Sequence, residues 1–337
     1  TAEGALVRLR ADTSHPITTA LLDYRRWTKY WTTYIRPYFI HKRSNGRIHT
    51  NYKLTGTRTG RLSSEQPNLQ QTPRNTFIRS IFGAPPGWVF VDIDYSQIEL
   101  RLIAAMAGEK NMLRAFQTGL DIHRATAATM LKNPADQVTP EERKMAKAVN
   151  FGLVYVMGPD KLQEYSIEKY EVAMTKPEAQ AFYNAFHKAY PGIKRYHQSQ
   201  IAKVREHHRV KTYMGRYRHL PDILSGDRSV AAAAEREAVN SPIQGLTADI
   251  TNLAMIEIYN SFDSESVRLV GNGHDSILME IKEERLDYVI PKIIEIMKHP
   301  DLSAFKVEPL TVPLEVEAKV GTHWGLGKPY QLTKANQ

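Results

Sequence analysis

Between Asp121 and about Tyr217 the chain reads as helix almost without a break, and the strand patterns lie outside that block on both sides. Trp88 to Asp94 is an apolar run behind a Pro-Pro-Gly turn, the pattern of a buried strand. Val267 to Val270, a Gly-Asn-Gly turn and Ile277 to Ile281 spell a β-hairpin with His274-Asp275-Ser276 near its bend. A last strand is expected around Leu314–Ala318. One sheet must then gather strands from both ends of the chain. This predicts an α+β protein whose sheet carries a helical insertion.

Smaller signals fill in the rest. Residues 1–20 carry no strong periodicity, and a helix is expected from Thr19 to about Ile35, ended by Pro37. Residues 41–80 are polar, basic and rich in Gly, Thr, Ser and Asn, as in short strands and loops. A helix follows from Gln97 to about Ala107. Thr139-Pro140-Glu141-Glu142 is a strong helix start, with Thr as N-cap, Pro in the first turn and Glu142 closing a capping box. A helix from about Ser229 is expected to be interrupted at Pro242 and followed by another to about Tyr259. A further helix runs to about Lys298.

Composition excludes several classes. The 337 residues are 42% hydrophobic and 24% charged, as in ordinary globular proteins. No apolar run approaches the ~18 residues of a membrane span. Cysteine is absent, which removes disulfide scaffolds, thiolate zinc sites and cysteine nucleophiles, and suits a reducing compartment. The formal charge is +9. Residues 1–80 hold 14 Lys and Arg against 4 Asp and Glu, so the surplus lies in the first quarter of the chain. A localised basic excess is the footprint of a polyanion partner, or else a solvated basic surface.

Five groups of residues carry chemistry. Asp94 ends the first strong strand, where it can face solvent or a metal; it can equally cap the next helix. Asp275 lies at the hairpin bend, as a turn residue or as a second strand-end carboxylate. Two such aspartates on one sheet suit Mg²⁺, which takes few carboxylates plus phosphate oxygens. Arg143, Lys147, Phe151 and Tyr155 recur every four residues, a helix stripe grading from cation to ring. That stripe matches a nucleoside triphosphate, or a solvated turn above two core aromatics. Arg236, Asn240 and Gln244 are also four apart, although Pro242 disturbs the last step; they can reach minor-groove acceptors or form a polar helix face. Thr57 to Ser64 and Pro67-Asn68-Leu69-Gln70 form a basic loop, either able to meet phosphates and groove edges or an ordinary surface loop. The glycine pattern of a P-loop is missing.

Together these residues resemble DNA polymerase family A. Thr59-Gly60-Arg61-Leu62-Ser63-Ser64 with Pro67-Asn68-Leu69-Gln70, then Asp94-Tyr95-Ser96-Gln97-Ile98-Glu99-Leu100-Arg101 (motif A), Arg143 to Tyr155 (motif B) and His274-Asp275 (motif C) occur in the family's order. The resemblance runs from about Leu21 to Trp324. It implies a right-hand polymerase with an antiparallel palm sheet, helical fingers and most of the thumb outside this chain. Residues 1–36 would be a thumb remnant and entry to the palm, 37–115 the first part of the palm, 116–230 the fingers and 231–337 the second part of the palm. It implies two Mg²⁺ ions, with Mn²⁺ as an alternative, on Asp94, Asp275 and the Tyr95 carbonyl. Glu99 would exclude a ribose 2′-OH. Arg143, Lys147 and His123 would meet the triphosphate, with Lys147 protonating the leaving pyrophosphate; Phe151 would pack on the sugar and Tyr155 beside the template base. Arg61, Gln70, Arg236, Asn240, Gln244 and His274 would line primer–template DNA. The partners implied are that DNA and dNTPs, with no membrane, for a monomer or part of a longer chain. The expected setting is intracellular: the cytoplasm of a bacterium or phage-infected host, or an organelle.

Three departures stand out. Ser276 follows Asp275 where most members have Glu, and Val156 follows Tyr155 where glycine is usual. Only about 20 residues precede the first matched segment, so any nuclease domain is also expected outside the chain. Two rival readings remain: a single-subunit RNA polymerase, which Glu99 opposes, and a catalytically silent DNA-binding protein, which retention of Asp94, Asp275, Arg143 and Lys147 opposes.

Overall fold

The structure is a computed structural model and describes residues 3–331. The outer ends of the first and last expected domains, residues 1–2 and 332–337, lie outside the described residues. The chain opens with helices α1 (Glu3–Thr13) and α2 (Pro16–Lys29), although periodicity there was weak. The start of α2 is local chemistry: Ile17 N–H donates to His15 Nδ1 (3.2 Å), and Pro16 occupies the first turn. A π-helical turn, Tyr30–Ile35, leads straight into α3 (Arg36–His41). The expected stop at Pro37 is therefore corrected. The wide turn lets Arg36 N–H reach the Trp31 carbonyl, so Pro37 enters as a first-turn residue, where its missing N–H costs nothing.

The polar stretch that follows holds a small hairpin, β1 (Asn51–Lys53) with β2 (Ser63–Glu65), and a short helix α4 (Thr76–Arg79). Strand β3 (Trp88–Tyr95) follows, then α5 (Ile98–Met106) and α6 (Lys110–Gln117). The expected helical block is α7 (Ile122–Leu131), α8 (Pro140–Val154), α9 (Pro159–Tyr170), α10 (Lys176–Ala189) and α11 (Pro191–His207). It closes on the hairpin β4 (Arg209–Lys211) and β5 (Tyr217–His219). The Thr139–Glu142 capping box forms at the start of α8. Glu109 ties the block to its base. Its carboxylate is buried and accepts from Asn111 N–H (3.1 Å) and from Gly192 N–H (2.6 Å) at the start of α11. A Cβ at Gly192 would lie 2.7 Å from that carboxylate and 3.1 Å from the Ala107 carbonyl, so only glycine fits.

Helix α12 (Arg228–Ser261) is continuous for 34 residues, with Pro242 inside it. The expected interruption is corrected: on both sides of Pro242, Ala238, Val239, Ser241, Ile243, Gly245 and Leu246 are buried, and this packing holds the helix through the proline. Strands β6 (Val267–Asn272) and β7 (Ser276–Lys282), helix α13 (Leu286–Lys298), and strands β8 (Val316–Gly321) and β9 (Lys328–Pro329) complete the chain. The bend of the β6–β7 hairpin lies at Gly273–Asp275, later than the Gly-Asn-Gly segment; Gly271 and Asn272 belong to β6.

The main sheet has order β6-β7-β3-β8-β9 and every neighbouring pair is antiparallel. Its central strand alternates. Val89, Val91, Ile93 and Tyr95 enter the core, while Asp92 and Asp94 face a cleft. The same core takes in Ile277, Met279 and Ile281 of β7, Leu246 and Ile250 of α12, Ile290 and Ile293 of α13, and Val149 and Leu153 of α8. Sheet and helical block therefore share one apolar interior. Among the described residues no helix is long and apolar enough to cross a membrane.

Buried His197 on α11 pins that helix to the end of α8, its Nε2 lying 2.9 Å from the Val154 carbonyl. Burial pushes its pKa down to about 4. The unfolded chain takes up this proton near pH ~6.5. Between those values the unfolded state binds more protons, so stability is full above pH ~6.5 and falls as pH drops towards 4. Thermal unfolding at pH 5 should show a loss on the order of 1–3 kcal/mol from this group relative to pH 7.5. His197→Gln should flatten that part of the profile; an unchanged profile in the variant would contradict the assignment.

Candidate active site

The register of β3 against β7 builds the site. Asp94 lies opposite Ser276, Ile93 opposite Ile277, and the ladder continues with Tyr95 N–H donating to the Asp275 carbonyl (3.0 Å). Asp94 and Asp275, 181 positions apart in sequence, thus meet at one end of the sheet. A tight turn fixes Asp275: Gly273 N–H donates to the Ser276 carbonyl and Asp275 N–H to the Gly273 carbonyl, each 2.9 Å. His274 takes a left-handed conformation at φ 71° in this bend. A Cβ at Gly273 would lie 2.4 Å from Ser276 Oγ, so a larger residue there would force the Ser276 side chain to turn away.

The chain after Asp94 is anchored from below. Tyr95 is buried and its hydroxyl donates to the Met297 carbonyl of α13 (2.8 Å). Gln97 adopts a left-handed conformation at the N-cap of α5, so Asp94 does not cap that helix. The sharp turn places Glu99 in the first turn of α5, where it pairs with Arg61 from the basic loop. Arg101 holds the turn by donating to the carbonyls of Ser96 (2.9 Å) and Pro313 (2.7 Å).

A cleft of about 560 Å³ opens over this face of the sheet. Among its lining residues are Asp92, Asp94, His274, Asp275, Gln70, Arg74 and Lys319. Gln70 is fixed there, its Nε2 donating to Asn272 Oδ1 (3.0 Å). Burial, and then the negative charge of Asp275, push Asp94 well above the usual carboxylate range; Arg74, 3.8 Å away, and Lys319 oppose that shift. Burial also raises Glu99, against the pull of Arg61. His274 is pushed down by burial and by Arg61.

These residues fit a hard divalent cation. Asp94 and Asp275 offer only oxygen donors, the two carboxylates repel each other when ionised, and Asp94 Oδ1 is buried with no hydrogen-bond partner. Among the described residues no set of three or more His, Asp or Glu side chains converges on a single metal position. Such a cation would therefore complete its oxygen ligands from water or a bound phosphate.

The stripe on α8 forms a separate cluster and does not line the cleft. Arg143 donates from Nε to Asp121 Oδ2 (2.8 Å), while Asp121 Oδ1 caps α7 by accepting from the N–H groups of His123 and Arg124. His123 is buried, its ring 5.8 Å from that of Phe151 and its Nδ1 2.9 Å from Asn150 Nδ2. Burial lowers its pKa to about 4, so the ring is neutral. Lys147 lies 6.0 Å from the Tyr170 ring. Tyr155 ends α8 with its hydroxyl buried and unpartnered. Val156 follows at φ 61°, a left-handed conformation that strains a β-branched residue. Arg236, Asn240 and Gln244 lie on one unbroken helix, which restores the spacing that Pro242 put in question. Sequence reading missed Asp121, Arg74 and Asp92. Only Asp121 left a signal, as an N-cap residue ahead of a helix.

The family model for DNA polymerase family A matches residues 1–326. The thermostable DNA polymerase I of Thermus aquaticus is 39% identical over 317 residues, covering 92% of this chain and 36% of that protein. DNA polymerase I of Pseudomonas aeruginosa is 37% identical over 332 residues, covering 96% and 35%. The chain spans little more than a third of these relatives. Among solved structures, the POL domain of Pol1 from M. smegmatis, in complex with DNA primer-template and dNTP, superposes with a TM-score of 0.87 at 33% identity over 97% of this chain and 56% of that one. With the ordered motifs, the antiparallel sheet and the helical block all in agreement, the chain belongs to DNA polymerase family A.

Proposed function

We propose that the chain extends a DNA primer by template-directed addition of dNTPs. The observation that carries this reading is the β3–β7 register, which joins Asp94 and Asp275 at a cleft that Leu69 and Gln70 also line. The primer-template and dNTP in the M. smegmatis complex support the substrate class. In this reading residues 37–115 and 231–337 form the palm, 116–230 the fingers, and 1–36 belong to the thumb and the entry to the palm. The protein acts as a monomer or as part of a longer chain, inside a cell where dNTPs and DNA are available.

Asp94, Asp275 and the Tyr95 carbonyl would hold divalent ions, two Mg²⁺ or Mn²⁺ in their place. Bound there, the ions supply activation of the primer 3′-OH and neutralisation of charge on the phosphates. The rest is done by side chains. The primer 3′-OH gives up its proton to solvent water as its oxygen bonds to the α-phosphorus of the dNTP, the bond to the bridging oxygen breaks, and pyrophosphate leaves. Lys147 gives a proton to that leaving oxygen. Arg143, held by Asp121, orients the triphosphate, and His123 meets it as a neutral ring. Phe151 packs on the sugar, and Tyr155 borders the templating position. Glu99, fixed by Arg61, occupies the space a 2′-OH would need. Arg61, Gln70, Arg236, Asn240, Gln244 and His274 follow the duplex. These contacts orient the reactants, and orientation supplies much of the catalysis.

Extension of a labelled primer at low salt tests the reading. The chain should add dNTPs and not rNTPs. Asp275→Ala should lower extension at least about 10³-fold, as for loss of an electrostatic transition-state contact, while leaving DNA binding measurable. Extension that survives this change would overturn the metal assignment. Glu99→Ala should raise rNTP incorporation relative to dNTP by about tenfold or more, the discrimination expected when a steric or polar contact of ~1.4 kcal/mol is removed. An unchanged ratio would remove Glu99 from sugar selection.

A further inference from the structure

Asp92 is a carboxylate on the cleft face that no step above uses. It stands two residues before Asp94 on the same side of β3, opposite Leu278 on β7 and Lys319 on β8. Its Oδ2 accepts from Trp324 Nε1 (3.2 Å) and lies 3.7 Å from Arg79 Nη1. Arg79 is itself fixed, 4.4 Å above the Trp324 ring and donating from Nε to the Pro73 carbonyl (3.2 Å). Asp92 Oδ1, however, is buried with no partner. The same is true of Asp94 Oδ1, and of Oε2 of Glu280, whose side chain is 2% exposed on the same wall and is paired with Arg47 through its other oxygen. Unpaired buried carboxylate oxygens facing one cleft are what a cation and its water shell would satisfy.

The charges on this face sharpen the point. Five carboxylates and five Lys or Arg side chains line the cleft, Glu280 being paired with Arg47. The residue directly across from Asp94 on β7 is Ser276, which brings a hydroxyl and no charge. With Asp92 these formal charges cancel; without it the lining carries one net positive charge, which opposes a cation. Asp92 does not converge with Asp94 and Asp275 on one point, so it acts across the cation's water shell and through its field.

We propose that Asp92 is a positioning residue that retains the divalent cation of the active site, in place of a carboxylate at Ser276. This rests on the reading that Asp94 and Asp275 hold that cation. Titration of the full chain with Mn²⁺, without DNA or nucleotide, with free ion counted by electron paramagnetic resonance, tests both. Asp92→Asn keeps the shape and the acceptor for Trp324 and should weaken Mn²⁺ binding by about 5- to 30-fold. Adding Ser276→Glu to that variant should restore affinity to within about threefold. Asp275→Ala should abolish the binding. If Asp275→Ala acts as expected and Asp92→Asn leaves affinity unchanged, the role of Asp92 is overturned and the active-site reading stands. If Asp275→Ala also changes nothing, the active-site reading itself fails. Weakening that Ser276→Glu does not repair would mark Asp92 as merely structural and also overturn the proposal. Lys319→Gln, at an exposed position, carries the same test with opposite sign should Asp92→Asn not fold: Mn²⁺ binding should tighten severalfold, and unchanged affinity would overturn the proposal.

Discussion

The whole site hangs on the pairing of β3 with β7. Side chains alternate along a strand, so a slip of one residue would turn Asp94 into the core and bring Ile93 to the cleft. The slip is prevented by burial on the other face. Val89, Val91 and Ile93 pack with Ile277, Met279 and Ile281 against α12 and α13, and none of them can be exposed without losing apolar area. The Tyr95 hydroxyl, bonded to Met297 beneath the sheet, locks the same register. The apolar face thus sets the position of the polar one.

That polar face is poorly satisfied by the protein alone. Asp94 is pushed up by burial and by Asp275, and carboxylate oxygens of Asp92 and Asp94 lie buried without partners. Arg74 and Lys319 relieve the repulsion only in part. The strain of holding two carboxylates together without a bound cation fits an active site whose ligands bring positive charge with them. On α8 the balance is different: Asp121 pairs with Arg143 and caps α7 at the same time, so the end of the stripe proposed to meet the triphosphate is already held in place by a carboxylate within the protein.

Much of this was legible in the sequence, and the rest shows where sequence patterns run out. The strand ending at Asp94, the capping box at Thr139 and the four-residue stripe on α8 all follow local rules, and the fold obeys them. Pro37 and Pro242 did not end helices. In the first case a π turn re-registers the hydrogen bonds, and in the second the core holds both sides of the break. The hairpin bend moved from the Gly-Asn-Gly segment to Gly273–Asp275 because the pairing of Asn272 with Ile277 extends β6. Asp92 looked like part of a buried strand, since only the sheet shows that its face opens on a cleft. The Arg61–Glu99 and Asp121–Arg143 pairs join segments 38 and 22 residues apart, and no periodicity encodes them.

The most direct measurement is anomalous diffraction from crystals of the chain grown with Mn²⁺, a primer–template and an incoming nucleotide that cannot react. A peak between the carboxylates of Asp94 and Asp275 is the predicted result. Strong anomalous density elsewhere in a DNA-bound complex, with none between these two residues, would contradict the assignment of the site.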